Sequence, residues 1–373
     1  MSDVVVIGAG LSGLSIAYEL ALRGAVVRVV ERGEPGRAAS WAGAGMLAPF
    51  TEQITDAAML DLCRQSLEMY PQFAARVRTD SGIDPHLQIN GTLSVAFNEA
   101  QAEALQQRAF GLSEEGVPHA VLDRRETLEA EPALAADAVR SLLVKCEGQV
   151  DNRRLGRALL QACVRRGLSV SAQCGAVAIE ADSRRVLGVR TQAGFIPALI
   201  VVNAAGAWAA DLPGVPGGCV PAVHPVKGQM LALSIPKNFM HRPVWAPGAY
   251  LVPRSDGRLL VGATVERRGF DVRVTGGAIH ELLGGALLAA PALREFTLSE
   301  TWAGLRAGTP DGKPVISRTA LEGYHVATGH FRNGILLAPM TGVLTADLIE
   351  RKTNRLADAF AMQSQNQRAV SKR

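Results

Sequence analysis

Residues 4–31 read VVVIGAGLSGLSIAYELALRGAVVRVVE and decide the fold of this chain. A short run of β-branched residues ends at Gly8, and an apolar pattern with helical spacing follows as far as Gly24. A second apolar run then ends at the acidic residue Glu31. β-Branched runs favour strands, and apolar residues three or four positions apart favour a helix. The stretch therefore predicts a β-α-β unit with a glycine-rich turn after its first strand.

The glycine-rich turn has the spacing G-x-G-x-x-G, formed by Gly8, Gly10 and Gly13. In such a turn the first glycine permits a sharp bend, the second lets the backbone approach a pyrophosphate, and the third lets helix and strand pack closely. The helix N-terminus attracts the phosphates, and an acid at the position of Glu31 accepts the ribose hydroxyls. We therefore predict a dinucleotide site. The competing interpretation is a glycine-rich turn in an empty β-α-β unit.

The segment that starts at Glu31, ERGEPGRAASWAGAGMLAPF, is a long stretch of small residues. It does not begin another strand–helix unit, as a doubly wound nicotinamide dehydrogenase would. A chain that wraps its cofactor fits a flavin, whose ring system needs cover, so we predict FAD. The alternative is a mobile surface loop, but Trp41 and Met46 are unfavourable residues for one. Further along, an apolar run ends in NAAGAWA, and there Ala205 and Gly206 let the backbone approach the cofactor.

Composition and charge exclude several classes of function. The 373 residues carry a formal charge of only +4, and aromatic residues make up 5%. A nucleic-acid-binding face needs concentrated basic charge, so we expect no nucleic-acid partner. Five cysteines without a C-x-x-C pair indicate reduced thiols, and we expect neither disulfides nor a metal site. Without a signal-like N-terminus or a run near ~18 apolar residues, we expect a soluble cytoplasmic protein that does not insert into membranes.

The pattern along the chain predicts two interleaved domains in an α/β fold. Strand–helix patterns surround the glycine-rich unit, whereas strands joined by turns, such as the RSDGRL hairpin, dominate residues 221–300. We expect a Rossmann-like FAD-binding domain with an inserted antiparallel-sheet substrate domain. The expected FAD-binding domain comprises residues 1–85, 146–220 and 301–360, the substrate domain residues 86–145 and 221–300, and a flexible tail residues 361–373.

Several motifs along nearly the whole chain carry a resemblance to a known family. Besides the glycine fingerprint they are SWAGAGML, HPVKGQM, YLVPRSDGRLLVGAT, WAGLRAGTPDGKPVI and GHFRNGILLAP. With these motifs the chain resembles the FAD-dependent amine oxidases of the D-amino acid oxidase type. Within them it is most similar to the glycine oxidases of bacterial thiamine biosynthesis. No cysteine lies in WAGLRAG or GHFRNG, so we expect the FAD to be bound non-covalently.

The resemblance implies positions for the functional residues. Arg306 and Arg332 fall on positions that bind the substrate carboxylate, Tyr250 falls on an active-site tyrosine, and Met46 borders the substrate. Together with the glycine fingerprint and the NAAG turn, the expected FAD-lining set is Gly8, Ala9, Gly10, Leu11, Ser12, Gly13, Glu31, Arg32, Ala39, Ser40, Ala44, Gly45, Met46, Val177, Ala205, Gly206, His330, Phe331, Arg332, Asn333, Gly334, Ile335 and Leu336.

The resemblance also implies a reaction. We expect oxidative deamination of glycine, with sarcosine or small D-amino acids as further substrates, by hydride transfer to FAD. The products would be an imine, then glyoxylate and ammonia, with hydrogen peroxide formed from oxygen. Expected partners are the amino acid, oxygen, further copies of the chain in a homo-oligomer such as a tetramer, and functionally a thiazole synthase for thiamine.

Alternatives remain open at this point. The chain could be a related amine oxidase, or a quinone-linked dehydrogenase acting on sarcosine, D-alanine or D-proline. It could also be a flavoprotein that only binds or assists a partner. Among single residues, Arg306 could pair with an acid, Arg332 could contact the flavin or a carbonyl, and Tyr250 could be core packing. Two departures from relatives, Val265 and the missing histidine in APGAY, affect the size of the pocket.

Overall fold

The computed structural model describes residues 2–362. Its strands are β1 (Ser2–Ile7), β2 (Val27–Val30), β3 (Met46–Leu47), β4 (Thr92–Ala96), β5 (His119–Leu122), β6 (Arg140–Val144), β7 (Gly148–Gln149), β8 (Ser169–Ser171), β9 (Ala176–Ala181), β10 (Val186–Thr191), β11 (Gly194–Asn203), β12 (His224–Ser234), β13 (Val244–Ala246), β14 (Ala249–Pro253), β15 (Arg258–Gly262), β16 (Thr297–Gly308), β17 (Val315–Arg318) and β18 (Tyr324–Thr328). Its α-helices are α1 (Leu11–Leu22), α2 (Ala39–Ala42), α3 (Ala57–Ser81), α4 (Glu99–Glu114), α5 (Arg124–Ala130), α6 (Asn152–Arg165), α7 (Gly276–Ala289), α8 (Ala338–Ile349) and α9 (Arg355–Ala359).

The first sheet contains the predicted β-α-β unit at its centre. Its strands lie in the order β17-β18-β11-β1-β2-β8, with β9 and β10 attached through β11. β1 pairs in parallel with both β2 and β11. Side chains alternate between the faces of a strand, so Val4 and Val6 pack in the core cluster that includes the helices, whereas Val5 and Ile7 pack in the cluster that includes β9 and β10.

Helices α1, α3, α6 and α8 cover one face of this sheet and contact one another. Helix α3 is capped at its start by the Asp56 side chain, which accepts from the Met59 N–H, and it ends at Gly82 with left-handed backbone. Helix α8 begins at Ala338. Pro339, which lacks an N–H, is well tolerated in its first turn.

The second sheet brings together two separated parts of the chain. Its strands lie in the order β16-β12-β15-β14-β13-β4-β6-β5, and α7 packs on β12, β14 and β15. Neighbouring strands are antiparallel except β13 and β4, which pair in parallel, with Val244 opposite Leu93. The sheet is therefore antiparallel as predicted, apart from the one junction where its two chain segments meet.

The domain division stays a prediction, but one of its expected boundaries falls within a strand. The boundary expected after residue 300 falls inside β16, which pairs with β12 from Thr297 to Gly308. The segment expected as one loop after Glu31 also contains the short elements α2 and β3. Of the expected flexible tail, residues 363–373 lie outside the described part of the chain.

Two observations about the described residues bear on location and metal binding. Among residues 2–362, the helices lack the combination of length and apolar character that a membrane crossing requires. Over the same range, no three His, Cys, Asp or Glu side chains converge where a metal ion could be held.

The contact between α1 and β1 can be tested at Gly13. A Cβ atom built on Gly13 would lie 1.9 Å from the Gly8 carbonyl oxygen, so Gly13→Ala must push the helix away from the turn. Overpacking of this kind costs about 1–3 kcal/mol, and we expect a lower melting temperature. Gly156 in α6 is the matched control, since a Cβ there meets nothing within 4 Å. Gly156→Ala should stabilise by up to about 1 kcal/mol, and equal melting temperatures for the two variants would contradict this account.

Candidate active site

A cavity of about 330 Å³ opens at the carboxyl ends of the parallel strands β1, β2 and β11. This is where open α/β sheets bind ligands. Many of the predicted cofactor residues line it together with Arg306, namely Gly8, Gly10, Leu11, Ser12, Glu31, Arg32, Ala39, Ser40, Ala205, Gly206, His330, Phe331, Arg332, Gly334 and Ile335. The chain thus brings together one wall from its first residues and another from residues 330–335.

The glycine turn forms the floor of this first cavity. Gly8 has a φ of 101°, and a Cβ on it would lie 2.5 Å from the Ala204 carbonyl oxygen. Gly10 is the N-cap of α1, and the Leu11 N–H donates to Ser40 Oγ at 2.8 Å. No acidic side chain lies in the first turn of α1. The positive end of the helix therefore faces the cavity and is free to attract an anion.

Glu31 lies at the edge of the cavity in a fixed orientation. One carboxylate oxygen accepts the Ala9 N–H at 2.8 Å, and the other accepts the Gly33 N–H at 2.9 Å. Each carboxylate oxygen has a second lone pair. Glu31 can therefore still accept the hydroxyl groups of a ribose.

Some predicted cofactor residues do not line the first cavity. Ala9 is buried, and Gly13 packs against the Gly8 carbonyl. Val177 is 48% exposed, whereas its neighbour Ala176 lines the cavity. Successive side chains of a strand point to opposite faces, so the Val177 side chain does not line this cavity, and its contact with FAD stays a prediction. Asn333 and Leu336 also lie off the wall, and Ala44, Gly45 and Met46 line a second cavity.

Trp208 is a wall residue that the sequence did not single out for the cofactor. Trp208 lines the first cavity. The guanidinium carbon of Arg32 lies 3.5 Å from the centre of the Trp208 ring. Phe270 stacks on the same ring at 5.4 Å between centroids. This stack fixes the orientation of the Trp208 ring. The sequence did not indicate the stack, because Phe270 lies far along the chain, between β15 and α7.

A second cavity, of about 280 Å³, adjoins the first. It is lined by residues of both sheets' segments, namely Gly43, Ala44, Gly45, Met46, Glu52, Trp245, Ala246, Gly248, Ala249, Tyr250, Gly262, Ala263, Val265, Arg306, Arg332 and Ile335. Gly43, Arg306, Arg332 and Ile335 line both cavities. Of the four predicted substrate residues, Arg306 and Arg332 therefore lie at the junction of the two cavities. Tyr250 and Met46 line the second cavity.

Arg306 projects from β16 over the backbone of β12. A Cβ on Gly228 would lie 2.3 Å from Arg306 Nη1, so only a glycine leaves room for the guanidinium. Nη1 donates to the Thr264 carbonyl oxygen at 3.1 Å. Burial lowers the pKa of Arg306, and no acid in the described part of the chain lies within ion-pair distance of it. The acid-pairing alternative for Arg306 is therefore unsupported, and most of its donors remain available to a ligand.

Arg332 lies at the mouth of the junction and is exposed. It sits in a single 3-10 turn, Phe331–Asn333, in which Phe331 has a φ of 47°. Helix α3 holds the next residues in place. The Tyr70 hydroxyl donates to the Ile335 carbonyl at 2.6 Å, and the Ser66 hydroxyl donates to the Leu336 carbonyl at 2.7 Å. The loop is thus anchored at its base while the Arg332 charge stays in contact with water.

Tyr250 lies beside Arg306 on β14 and is half-buried. Its hydroxyl sits over Gly262, where a Cβ would be 2.6 Å away. Burial raises the pKa of Tyr250, and the neighbouring Arg306 only partly offsets this effect. The phenol therefore stays protonated at neutral pH. It can donate or accept a hydrogen bond but is not suited to act as a base.

Glu52 is an acidic wall residue that sequence reasoning missed. Its carboxylate faces the second cavity, close enough for the charges of Arg332 and Arg306 to act on it. It follows a stretch of small residues in an irregular segment between β3 and α3. Neither periodicity nor a motif distinguishes it from the other glutamates of the chain.

Comparison with known proteins identifies the family. The model of the DAO family, described as FAD dependent oxidoreductase, matches residues 3–348. The chain belongs to this family. A glycine oxidase of Geobacillus kaustophilus is 37% identical over 353 residues, covering 94% of this chain and 93% of the relative. The crystal structure of glycine oxidase from Geobacillus kaustophilus has a TM-score of 0.91 at 36% identity, over 97% of this chain and 98% of that one.

These matches confirm the predicted fold class, the resemblance and FAD as the cofactor. A further relative, the bifunctional protein ThiO/ThiG of Trichormus variabilis, is 35% identical over 364 residues. These residues are 96% of this chain but 54% of the relative. The chain thus spans about half the length of the bifunctional DAO-family proteins that it matches.

The first cavity fits FAD in a way that its own geometry shows. Side chains at Gly8 and Gly13 would clash with backbone, which keeps the turn open for close approach of a pyrophosphate. The N-terminus of α1 and the Glu31 carboxylate lie on the same wall, suited to phosphate and ribose respectively. The small residues Ala39, Ala205 and Gly206 leave the remaining wall flat.

His330 supports this wall as a neutral, buried side chain. It is 6% exposed, and its Nε2 is hydrogen-bonded to Thr341 Oγ1 at 2.9 Å. Burial lowers the pKa of His330 to about 4. The histidine is therefore uncharged at neutral pH, which agrees with a structural role.

The pH dependence of stability tests this state. Between about pH 4 and pH 6.5 the unfolded chain binds a proton at His330 that the folded chain does not, so stability falls as the pH decreases. We expect this residue to remove about 2 kcal/mol from the free energy of unfolding between about pH 7 and pH 5. Urea unfolding with saturating FAD should show that His330→Asn lacks this loss. A stability difference between the two proteins that is equal at both pH values would contradict the buried neutral state.

Proposed function

We propose that this chain catalyses the FAD-dependent oxidative deamination of glycine, giving glyoxylate, ammonia and hydrogen peroxide. The observation that supports this most is that Arg306 and Arg332 line both the cofactor cavity and the adjoining small cavity. A guanidinium binds a carboxylate as a planar fork with two parallel hydrogen bonds. An amino acid held by its carboxylate at this junction has its Cα next to the cofactor cavity.

The protein's part in this reaction is binding and orientation. Arg306, held over Gly228, provides the fixed donors, and Arg332 at the mouth provides a second charge that can close over a bound substrate. The Tyr250 hydroxyl completes the carboxylate site as a neutral hydrogen-bonding group. FAD supplies the two-electron oxidation when bound, while the chain supplies the geometry. Positioning of this kind can contribute several kcal/mol to the lowering of the barrier, on the order of 7–11 for ideal alignment.

A second group of substrates is supported by the shape of the second cavity. Its volume of about 280 Å³ exceeds what glycine needs, and Val265 on its wall is 49% exposed. Gly248 lies on the same wall and leaves it without a side chain. Sarcosine or a small D-amino acid such as D-alanine therefore fits the same carboxylate site, with the extra carbon in the free volume.

The partners belong to the same proposal. The bifunctional relatives combine ThiO and ThiG in one chain, and this supports a functional link between the product of this enzyme and thiazole synthesis for thiamine. Oxygen as the electron acceptor, a cytoplasmic location and a homo-oligomeric, tetrameric state stay predictions.

A panel of amines tests the reaction itself. Purified yellow protein is incubated with glycine, sarcosine, D-alanine and D-proline in air, and peroxide and keto acid are measured. We expect glycine to give glyoxylate and peroxide in equal amounts. Flavin bleaching by glycine without oxygen, combined with no peroxide in air, would indicate a different acceptor. No bleaching by any amine would overturn the proposed function.

Arg306→Ala tests the carboxylate site. Loss of a charge-assisted hydrogen bond to the substrate costs about 1.5–3 kcal/mol, so kcat/KM for glycine should fall roughly 10- to 100-fold or more. The FAD content should stay at the wild-type level, because the fingerprint turn is untouched. Arg125→Ala is the matched control, since Arg125 is exposed and pairs with Glu129 on α5. Unchanged kinetics for Arg306→Ala would remove this residue from the site.

A further inference from the structure

Glu52 carries a charge that the proposed reaction has not yet used. Its carboxylate lines the second cavity together with Arg306, Arg332 and Tyr250. Within residues 2–362, the side chain has no hydrogen-bond donor or ion-pair partner, and it interacts with both arginines only through space. Glu52 is half-buried, and an acid that loses part of its hydration without gaining a partner is costly. An acid directed into a cavity, with its acceptors free, is suited to bind a cationic ligand group.

The turn that carries Glu52 is held in place from both ends. The Glu52 N–H donates to the Ala48 carbonyl at 3.0 Å, and the N–H of Gln53, which has a φ of 54°, donates to the Phe50 carbonyl at 3.2 Å. These bonds close a tight turn immediately after β3. These bonds fix the position of the Glu52 backbone, from which the side chain reaches the second cavity.

A second set of contacts clamps the same turn to the segment between β6 and β7 and to α4. The Phe50 and Thr51 N–H groups donate to Glu147 Oε1 at 2.7 and 2.9 Å, and the Thr51 hydroxyl donates to Glu147 Oε2. Arg108 from α4 donates to the Thr51 carbonyl at 3.2 Å. Glu147 is fully buried. The chain thus uses a buried carboxylate and a partly buried arginine to fix the residue before Glu52.

The charges around the second cavity match an amino acid. The groups that face Glu52 are Arg306 from β16, Arg332 from the Phe331–Asn333 turn, Tyr250 from β14 and Cys63 from α3. Burial raises the pKa of the Glu52 carboxyl, whereas the two arginines oppose this effect. Two guanidiniums and one carboxylate around one small space complement a ligand with a carboxylate at one end and an amino group at the other.

We propose that Glu52 binds the amino group of the substrate while Arg306 and Arg332 bind its carboxylate. This inference rests on the proposed function and specifies its recognition: the site selects α-amino acids over other small carboxylates because both ends of the ligand are paired. Binding of the amino group also fixes the torsion about the bond between Cα and the carboxyl carbon. A carboxylate clamp alone would leave that torsion free.

The test compares a substrate with an analogue that lacks the amino group. Glycine binding and oxidation are measured by anaerobic flavin bleaching and by steady-state kinetics, and acetate binding by the change in flavin absorbance of the holoenzyme. For Glu52→Gln we expect KM for glycine to rise about tenfold or more, as for loss of a charge-assisted hydrogen bond. The Kd for acetate should stay within about twofold or fall, because removal of the acid leaves the arginines less neutralised.

Two further variants separate this role from a structural one. Glu52→Asp keeps the charge and should recover part of the glycine affinity, whereas Arg306→Ala should weaken glycine and acetate alike. Glu103→Gln, on the exposed face of α4, is the matched control and should leave both ligands unchanged.

The outcomes are distinct. If Glu52→Gln weakens acetate and glycine equally, Glu52 shapes the site without contacting the amino group, and the inference is wrong. If neither ligand is affected, Glu52 does not contact the substrate, and the inference is again wrong. If glycine does not bleach the wild-type flavin but another amine does, the same comparison is made with that amine and its amine-free analogue. If no amine bleaches it, the proposed function fails first, and the role of Glu52 fails with it.

Discussion

The pairing of β12 with β16 along their whole length is the constraint on which the site depends. It carries Arg306 across the sheet to a point above Gly228, where the guanidinium lies on bare backbone. The same sheet holds Tyr250 on β14 beside Gly262 at the end of β15. Because strand pairing fixes register to within one residue, a slip in β16 would turn Arg306 to the opposite face. The second cavity would then lose one of its two cations.

Electrostatic balance explains why this arrangement is tolerated. Arg306 is half-buried without an acid in contact, Arg332 stays in water, and Glu52 lines the same cavity as both. Glu52 lowers the cost of burying the two arginines and they lower its cost, whereas the two arginines repel each other. The site is therefore less stable than an apolar core would be, and the charges of its ligand stabilise it. Such unbalanced, partly desolvated groups are typical of binding and catalytic sites.

Much of the first cavity could be predicted from local sequence. Gly13 is required by the Gly8 carbonyl five residues earlier, and Gly8 has a φ of 101° that favours glycine, so the motif indicates the turn. The Ala204 carbonyl, which also excludes a side chain at Gly8, is far away in sequence. The residues that line the second cavity were harder to predict from local sequence. Arg306 and Arg332 were located by motif resemblance. Trp208 and Glu52 were missed because their partners, Phe270 and the two arginines, are far away in sequence.

The sequence by itself thus determined the β-α-β unit, the dinucleotide turn and the alternation that gives β1 two buried faces. Those features depend on backbone sterics and on side-chain periods of two and 3.6 residues, which are local properties. Only the tertiary structure decided which charges meet. Arg306, Arg332 and Glu52 come from three separate segments, and their convergence follows from sheet register and loop anchoring across hundreds of residues. No local sequence pattern encodes the proximity of these three residues, because the packing of the whole fold brings them together.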